Sequence, residues 1–311
     1  MEPKRSWREV ALHIPLLYRR SLSSTLLDLD TVTMNVPMTA FSWHHLWQWQ
    51  IGVLPTGLLL VAVLLYLVGS TRAASWSWWR TSWFLLGALV TFIATQSVLG
   101  VYDMSSFAVH MMQHLLLIMV AAPLFALSRP LDLLAETGPQ WARAAVGSSV
   151  MRVLTHPLVA FVAYFIFIPL THVTGLFQLM MQHMWVHHLE QIGFLVVGYF
   201  FFRVAFGSES GRRLHPGLRV VFVMAAVPVD TFTGLTIVMT GHLPYAGYMS
   251  NMPMGTSVAQ AMSNYHLGGA IMWIGGDALM LLACIPMVVH WVRWETKNTK
   301  SIDAELDRLG L

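Results

Sequence analysis

The sequence predicts an all-α, polytopic membrane protein, a bundle of about seven transmembrane helices with the amino terminus outside and the carboxyl terminus in the cytoplasm. Three observations carry this reading. Apolar residues make up 56% of the 311-residue chain and charged residues only 11%, against about 45–50% and about 25% in soluble domains, too little charge to dress a water-facing surface. Apolar runs of about 18 to 24 residues recur seven times, each matching the roughly 20 residues that cross a hydrocarbon core of about 30 Å. Basic residues occupy alternate connections between these runs, and Lys and Arg near a span are retained on the cytoplasmic side.

The runs fall at about 51–69, 82–100, 108–127, 157–174, 187–206, 217–240 and 267–291. Arg72 and Arg80 lie between spans one and two, and Arg129, Arg143 and Arg152 between three and four. Arg203, Arg212, Arg213 and Arg219 surround the five–six connection, while Arg293, Lys297, Lys300 and Arg308 follow span seven. The other three connections carry no Lys or Arg. This divides the chain into an extracytoplasmic tail (residues 1–45), a transmembrane domain (46–292) and a cytoplasmic tail (293–311).

Lys4, Arg5, Arg8, Arg19 and Arg20 in the first tail sit more than about 30 residues from span one, where the charge rule weakens. No apolar h-region precedes them, so no cleavable signal peptide is expected. The net charge of +3 follows from the topology and implies a lipid bilayer, not nucleic acid, as the chain's surroundings. The single cysteine, Cys284, excludes an internal disulfide and reads as a small core residue. Tryptophans at 43, 47, 49, 76, 78 and 79 read as interfacial belts. Ser301 is an N-cap candidate for a short amphipathic helix in the last tail. The exterior connection of about 241–266, with Pro244, Gly247, Pro253 and Gly255, reads as a lid or binding element.

Sidedness is the main chemical clue. Most of the 14 histidines fall at or beyond the outer interface on this topology, among them His172, His188 and His242. His110 and His114 are four apart at the start of span three, so both rings project from one helical face. His183 and His187 repeat that spacing at the start of span five, and Glu190 lies one turn beyond His187. Such pairs on two helices can offer several imidazoles to one metal; a polar interface residue is the simpler alternative for any single histidine. Methionine adds a second signal, because thioether selects Cu(I) while imidazole suits copper and zinc alike. Met249, Met252 and Met254 cluster in the turn-rich outer connection, Met111 lies between His110 and His114, and His266 closes the connection. Methionines inside spans read as core filler.

Asp230 in span six and Asp277 in span seven lie deep in the bilayer. Unpaired at the centre, each would cost roughly 2.5–3.5 kcal/mol, so each is expected to face the bundle interior. Asp277 has Gln96 or Thr95 of span two as hydrogen-bonding candidates. A structural clasp and a proton or cation path are both open for this pair.

Three segments resemble the CtaG group of multi-span cytochrome c oxidase assembly factors, associated with the caa-type enzyme: His110-Met-Met-Gln113-His114-Leu-Leu with Ala122-Pro-Leu124 and Arg129-Pro130; His187-His-Leu-Glu190 with Phe194-Leu195; and Leu267-Gly-Gly269-Ala-Ile-Met-Trp273. The resemblance covers most of residues 46–292. Gln191 stands where the group tends to carry a second histidine, Asn264 where it often carries an aspartate, and Gly275 where a proline is expected.

The resemblance implies a non-enzymatic role in the bacterial plasma membrane, maturing a haem-copper oxidase by holding or delivering Cu(I) for the dicopper-bearing subunit. On that reading His110, His114, His183, His187 and His266, with Met111, Met249, Met252 and Met254, are the metal ligands. Glu190 orients an imidazole from behind. Two other classes compete. A cation transporter would use Asp230 and Asp277, and a b-type haem carrier would need histidines deep enough to bury a macrocycle.

Overall fold

The computed structural model describes residues 45–207, 214–244 and 246–309, without the side chains of residues 246, 247, 303 and 304. The first tail up to His44, with Trp43 and its basic residues, lies outside the described residues, as do Arg212 and Arg213.

Among the described residues every regular element is helical. Helix α1 (Val53–Arg72) is leucine-rich, and Leu58, Leu60, Leu64 and Leu65 remain exposed, as suits a face turned to lipid. It is antiparallel to α2 (Trp78–Gln96): the Gly52 N–H donates to Gln96 Oε1 at 2.7 Å, joining the start of one helix to the end of the other. Ser97 then caps α3 (Val98–Tyr102), its hydroxyl accepting from the Leu99 N–H.

The third span is central and segmented. It consists of α4 (Phe107–Leu115), a π-helical segment (Leu116–Ala121) and α5 (Ala122–Ser128). Arg129 turns left-handed (φ 58°), and Pro130, unable to continue a helix but suited to begin one, opens α6 (Pro130–Thr137). Two more short helices, α7 (Gln140–Val146) and α8 (Ser149–Leu154), fill the rest of the connection to the fourth span.

Helix α9 (Pro157–Val173) has 17 residues, about 25 Å at 1.5 Å per residue, short of the bilayer core. A 63° bend at Thr174–Gly175 leads into α10 (Leu176–Gln182). The remaining helices are α11 (Met184–Phe206), α12 (Pro216–Met224), α13 (Val227–Met239), α14 (Ala246–Ser250), α15 (Val258–Ala270), a second π-helical segment (Ile271–Gly275) and α16 (Gly276–Leu309). Six helical stretches are long and apolar enough to cross a membrane, seven when the bent α9–α10 pair counts as one. The polytopic α-helical reading therefore stands.

Two expectations are corrected. The connection at 241–266 is not an open loop throughout: Ser257 and Gln260 form a reciprocal capping box, which starts α15 nine residues before the point where apolar composition signals a span. The C-terminal amphipathic helix is not separate, because α16 runs unbroken past residue 292 with Ser301 in its interior.

Small residues set the closest helix crossings. A Cβ on Gly269 would meet Ile237 Cγ2 at 2.7 Å and Gly234 O at 2.9 Å, while one on Gly268 would strike the Phe107 ring. The glycine pair thus lets α15 touch α13 on one side and α4 on the other, the usual service of small residues where no hydrophobic effect drives helix association. Gly269→Val is expected to cost about 1–3 kcal/mol through overpacking, read as a fall in the thermal unfolding midpoint in detergent. Gly57→Val, whose Cβ meets nothing within 4 Å, should leave that midpoint unchanged.

Both deep aspartates face protein. The Tyr164 hydroxyl donates to Asp230 Oδ2 at 2.7 Å and the Thr231 hydroxyl to Asp277 Oδ2 at 2.8 Å. The expected partners of Asp277 are thus replaced by one on the adjacent α13, and Gln96 is spent on Gly52 and Thr56. Tyr164→Phe strips a buried acceptor of its donor, for an expected loss of about 1–3 kcal/mol measurable by the same unfolding assay.

Candidate metal centre

Ser106 begins α4, accepting the Val109 N–H on its hydroxyl. One turn further, His110 and His114 share the inward face, 0% and 3% exposed. Helix α11, packed against the π segment and α5, presents His187, Glu190 and Gln191 towards them. The crossing is tight because Gly198 carries no side chain: a Cβ there would lie 2.8 Å from Ala122 Cβ.

The facing groups converge. His114 Nε2 lies 2.7 Å from His110 Nε2 and 3.2 Å from Glu190 Oε1, and His110 Nε2 is 3.7 Å from Glu190 Oε2. One donor atom from each residue fits within 4.8 Å of the others. Ligands about 2.0–2.2 Å from a tetrahedral ion stand about 3.3–3.6 Å apart, so this spacing suits a shared cation after a small adjustment. Apart from these contacts, both carboxylate oxygens of Glu190, the Nδ1 atoms of His110 and His114, His172 Nε2 and both ring nitrogens of His187 are buried without a hydrogen bond. Such groups are costly to leave unsatisfied, and a metal ion is one thing that would satisfy the carboxylate.

Five more polar residues surround this core. His172, at the end of α9, places its Nδ1 2.8 Å from Ile168 O; donation to that carbonyl directs the Nε2 lone pair outward. Its ring centroid is 5.5 Å from that of His114. His187 stacks on His110 with centroids 5.3 Å apart, and its Nε2 is 3.6 Å from Asp103 Oδ2. The Gln113 amide donates to that same oxygen at 2.7 Å, and Gln191 donates to Gln113 Oε1 at 3.1 Å. Burial lifts the Asp103 carboxyl to about 7, against the opposing pull of the Gln113 amide. Gln191, in place of the histidine typical of the resemblance, extends this polar chain.

Aromatic rings cover the cluster. Phe177 of α10 packs edge-on against His110 at 5.5 Å and against Phe107 at 5.3 Å. The Phe107 N–H donates to the Tyr248 oxygen, and the Tyr248 hydroxyl to Asn264 Oδ1 at 2.6 Å. Asn264 also receives the Ala108 N–H, so the residue found where an aspartate is typical ties α14 and α15 to the start of α4.

The residues singled out from sequence separate into two groups. His110, His114 and Glu190 come together, with His187 beside them. His183 does not lie on the helix of His187: it is the extended residue before α11 (φ −134°, ψ 110°) and is exposed, so the four-residue spacing there does not align the two rings. Met111 is buried in the apolar core. Met254 is 88% exposed, Met249 and Met252 pack at the edge of the core, and His266 bonds through Nε2 to Thr240 O at 2.9 Å. Glu190 points a carboxylate at the imidazoles themselves instead of standing behind them. His172 was grouped only with the outer-interface histidines and Asp103 was not singled out, because neither belongs to a helical pair; burial against α4 and α11 is their only signal.

The chain is 28% identical over 251 residues to the uncharacterized proteins Mb0105 of Mycobacterium bovis and MT0111 of Mycobacterium tuberculosis, covering 76% of this chain and 37% of each relative. It is 26% identical over 277 residues to the uncharacterized protein ML1998 of Mycobacterium leprae, covering 83% of this chain and 42% of that protein. The chain thus spans about two fifths of the length of the curated relatives it matches. No solved structure matches it. Residues 62–294, which contain every group of the imidazole–carboxylate cluster, match the model of the cytochrome c oxidase caa3 assembly factors, and the chain belongs to that family.

Proposed function

We propose that the chain serves oxidase maturation by holding copper at His110, His114 and Glu190 and passing it to the dicopper-bearing subunit of the enzyme. The observation that carries the proposal is the convergence of two imidazoles and a carboxylate, all solvent-excluded, in a bundle with no thiol near them. Imidazole accepts copper in either oxidation state, and a carboxylate favours the divalent ion. Cu(I) remains the cargo proposed for transfer, with Met249, Met252 and the exposed Met254 as soft ligands where the ion enters or leaves. A few exchangeable ligands suit hand-over better than a closed thiolate cage would. The arginine pattern supports an extracytoplasmic position for this end of the bundle and a plasma-membrane location.

The rival classes fare less well against the same geometry. Axial histidines must straddle a macrocycle, whereas the His110 and His114 rings have centroids 4.1 Å apart. A path through Asp230 and Asp277 would have to break the hydroxyl bonds that hold them.

Titration of the detergent-purified chain with Cu(I), Cu(II) and Zn(II) against a competing chelator tests the proposal. Wild type should bind copper, and His110→Ala/His114→Ala should lose at least about a hundredfold in affinity. Glu190→Gln should lose about 10–100-fold, as changes around a metal site typically do. A Soret band, or copper affinity unchanged in the double variant, would sink the reading. Copper at about a hundredfold over its Kd should stabilise the wild-type fold by about 2.7 kcal/mol, with no rise in the double variant. In cells, His110→Ala is expected to leave the level of this chain unchanged while caa3-type oxidase activity falls; oxidase activity equal to wild type would argue against a metal role in maturation.

A further inference from the structure

The cluster of His110, His114 and Glu190 leaves His187 unused. This imidazole is 1% exposed, and neither of its ring nitrogens makes a hydrogen bond. It lies outside the set of donors that fit one ion, so an ion held by that set leaves both nitrogens unmet. Its ring stacks on His110, with centroids 5.3 Å apart, and brings Nε2 to 3.6 Å from Asp103 Oδ2. That separation is too long for a hydrogen bond and matches the spacing of about 3.3–3.6 Å between neighbouring ligands of one tetrahedral ion.

Asp103 is held ready for the same role. It is 5% exposed, at the turn between α3 and α4, and among the described residues its ion-pairing partner is His187 alone. The Gln113 amide fixes the carboxylate by donating to Oδ2, and the Gln191 amide fixes Gln113 in turn. Outer hydrogen bonds of this kind orient ligating groups, and a carboxylate oxygen that accepts one keeps a second lone pair for a metal. His187 precedes Glu190 by three residues, about 4.5 Å along α11 at 1.5 Å per residue, so the pair stands beside the first cluster and not within it.

We propose that His187 and Asp103 bind a second copper ion next to the one held by His110, His114 and Glu190. The inference rests on the metal reading of that cluster. Imidazole with carboxylate takes the divalent ion. Two protein ligands leave the remaining positions to water, so the second ion is the more weakly bound and the first to leave.

Copper loading of the full-length, untagged chain in detergent, counted by native mass spectrometry and followed by electron paramagnetic resonance, tests the second site. Wild type should take up two Cu(II) per chain, the second more weakly, with a spectrum broadened by coupling between neighbouring ions. Asp103→Asn keeps the shape of the side chain and an acceptor for Gln113, so it is expected to fold, retain the first ion, lose the second and show the spectrum of an isolated ion. His187→Asn should do the same. Saturation of wild type at one Cu(II), or a second Cu(II) that survives Asp103→Asn, overturns the second site and leaves the first standing. Wild type that binds no copper overturns both.

Discussion

In a bilayer the hydrocarbon offers no hydrogen bonds, so every polar group at membrane depth must find its partner within the protein. The arrangement of this chain follows from that constraint. Asp230 takes a tyrosine hydroxyl and Asp277 a threonine hydroxyl, while Gln113 spends its amide on Asp103 and on Ala94 O. Side chains that meet the requirement in this way hold the helices in one register. Asp277 Oδ1 is also buried without a hydrogen bond, but only around Glu190 and the imidazoles facing it do several such atoms converge, and that convergence is what separates a site from a structural clasp.

The site depends on closeness between helices that ordinary residues would prevent. Gly198 lets α11 meet the third span, and Gly268 lets α15 approach Phe107, the first residue of the helix that carries both imidazoles. Phe107 in turn supports Phe177 and Tyr248, so the aromatic cover of the cluster rests on the same crossing. Packing and chemistry are coupled here: a change that spreads these helices would also spread the donors.

Fold class was legible because apolar run length and arginine alternation report directly on the solvent, and a bilayer leaves few other solutions. The pair His110 and His114 was legible for a related reason, since four-residue spacing on a helix is a local property. What was not legible depended on tertiary burial or on where a helix starts. His183 looked like a partner of His187 until the helix began one residue after it. His172 and Asp103 are brought in by the ends of other elements and leave no periodic trace. The methionines of the 249–254 segment were read from composition, and composition does not say which way a turn folds.

The π-helical segment between His114 and Pro123 carries a consequence for how this chain can change over time. A π segment absorbs an extra residue by widening a turn, so the helix on either side of Leu116–Ala121 can keep its facing while the count of residues between His114 and Ala122 exceeds what an α-helix would use. Loss of that residue would let the widened turn close to ordinary α-helix with little rotation of the flanks, whereas a further residue with no bulge to absorb it would turn the remainder by about 100° and carry the Ala122 face or the imidazoles away from α11. Loss and gain of a residue are therefore unequal events in this stretch: the first has a conformational outlet, the second has none.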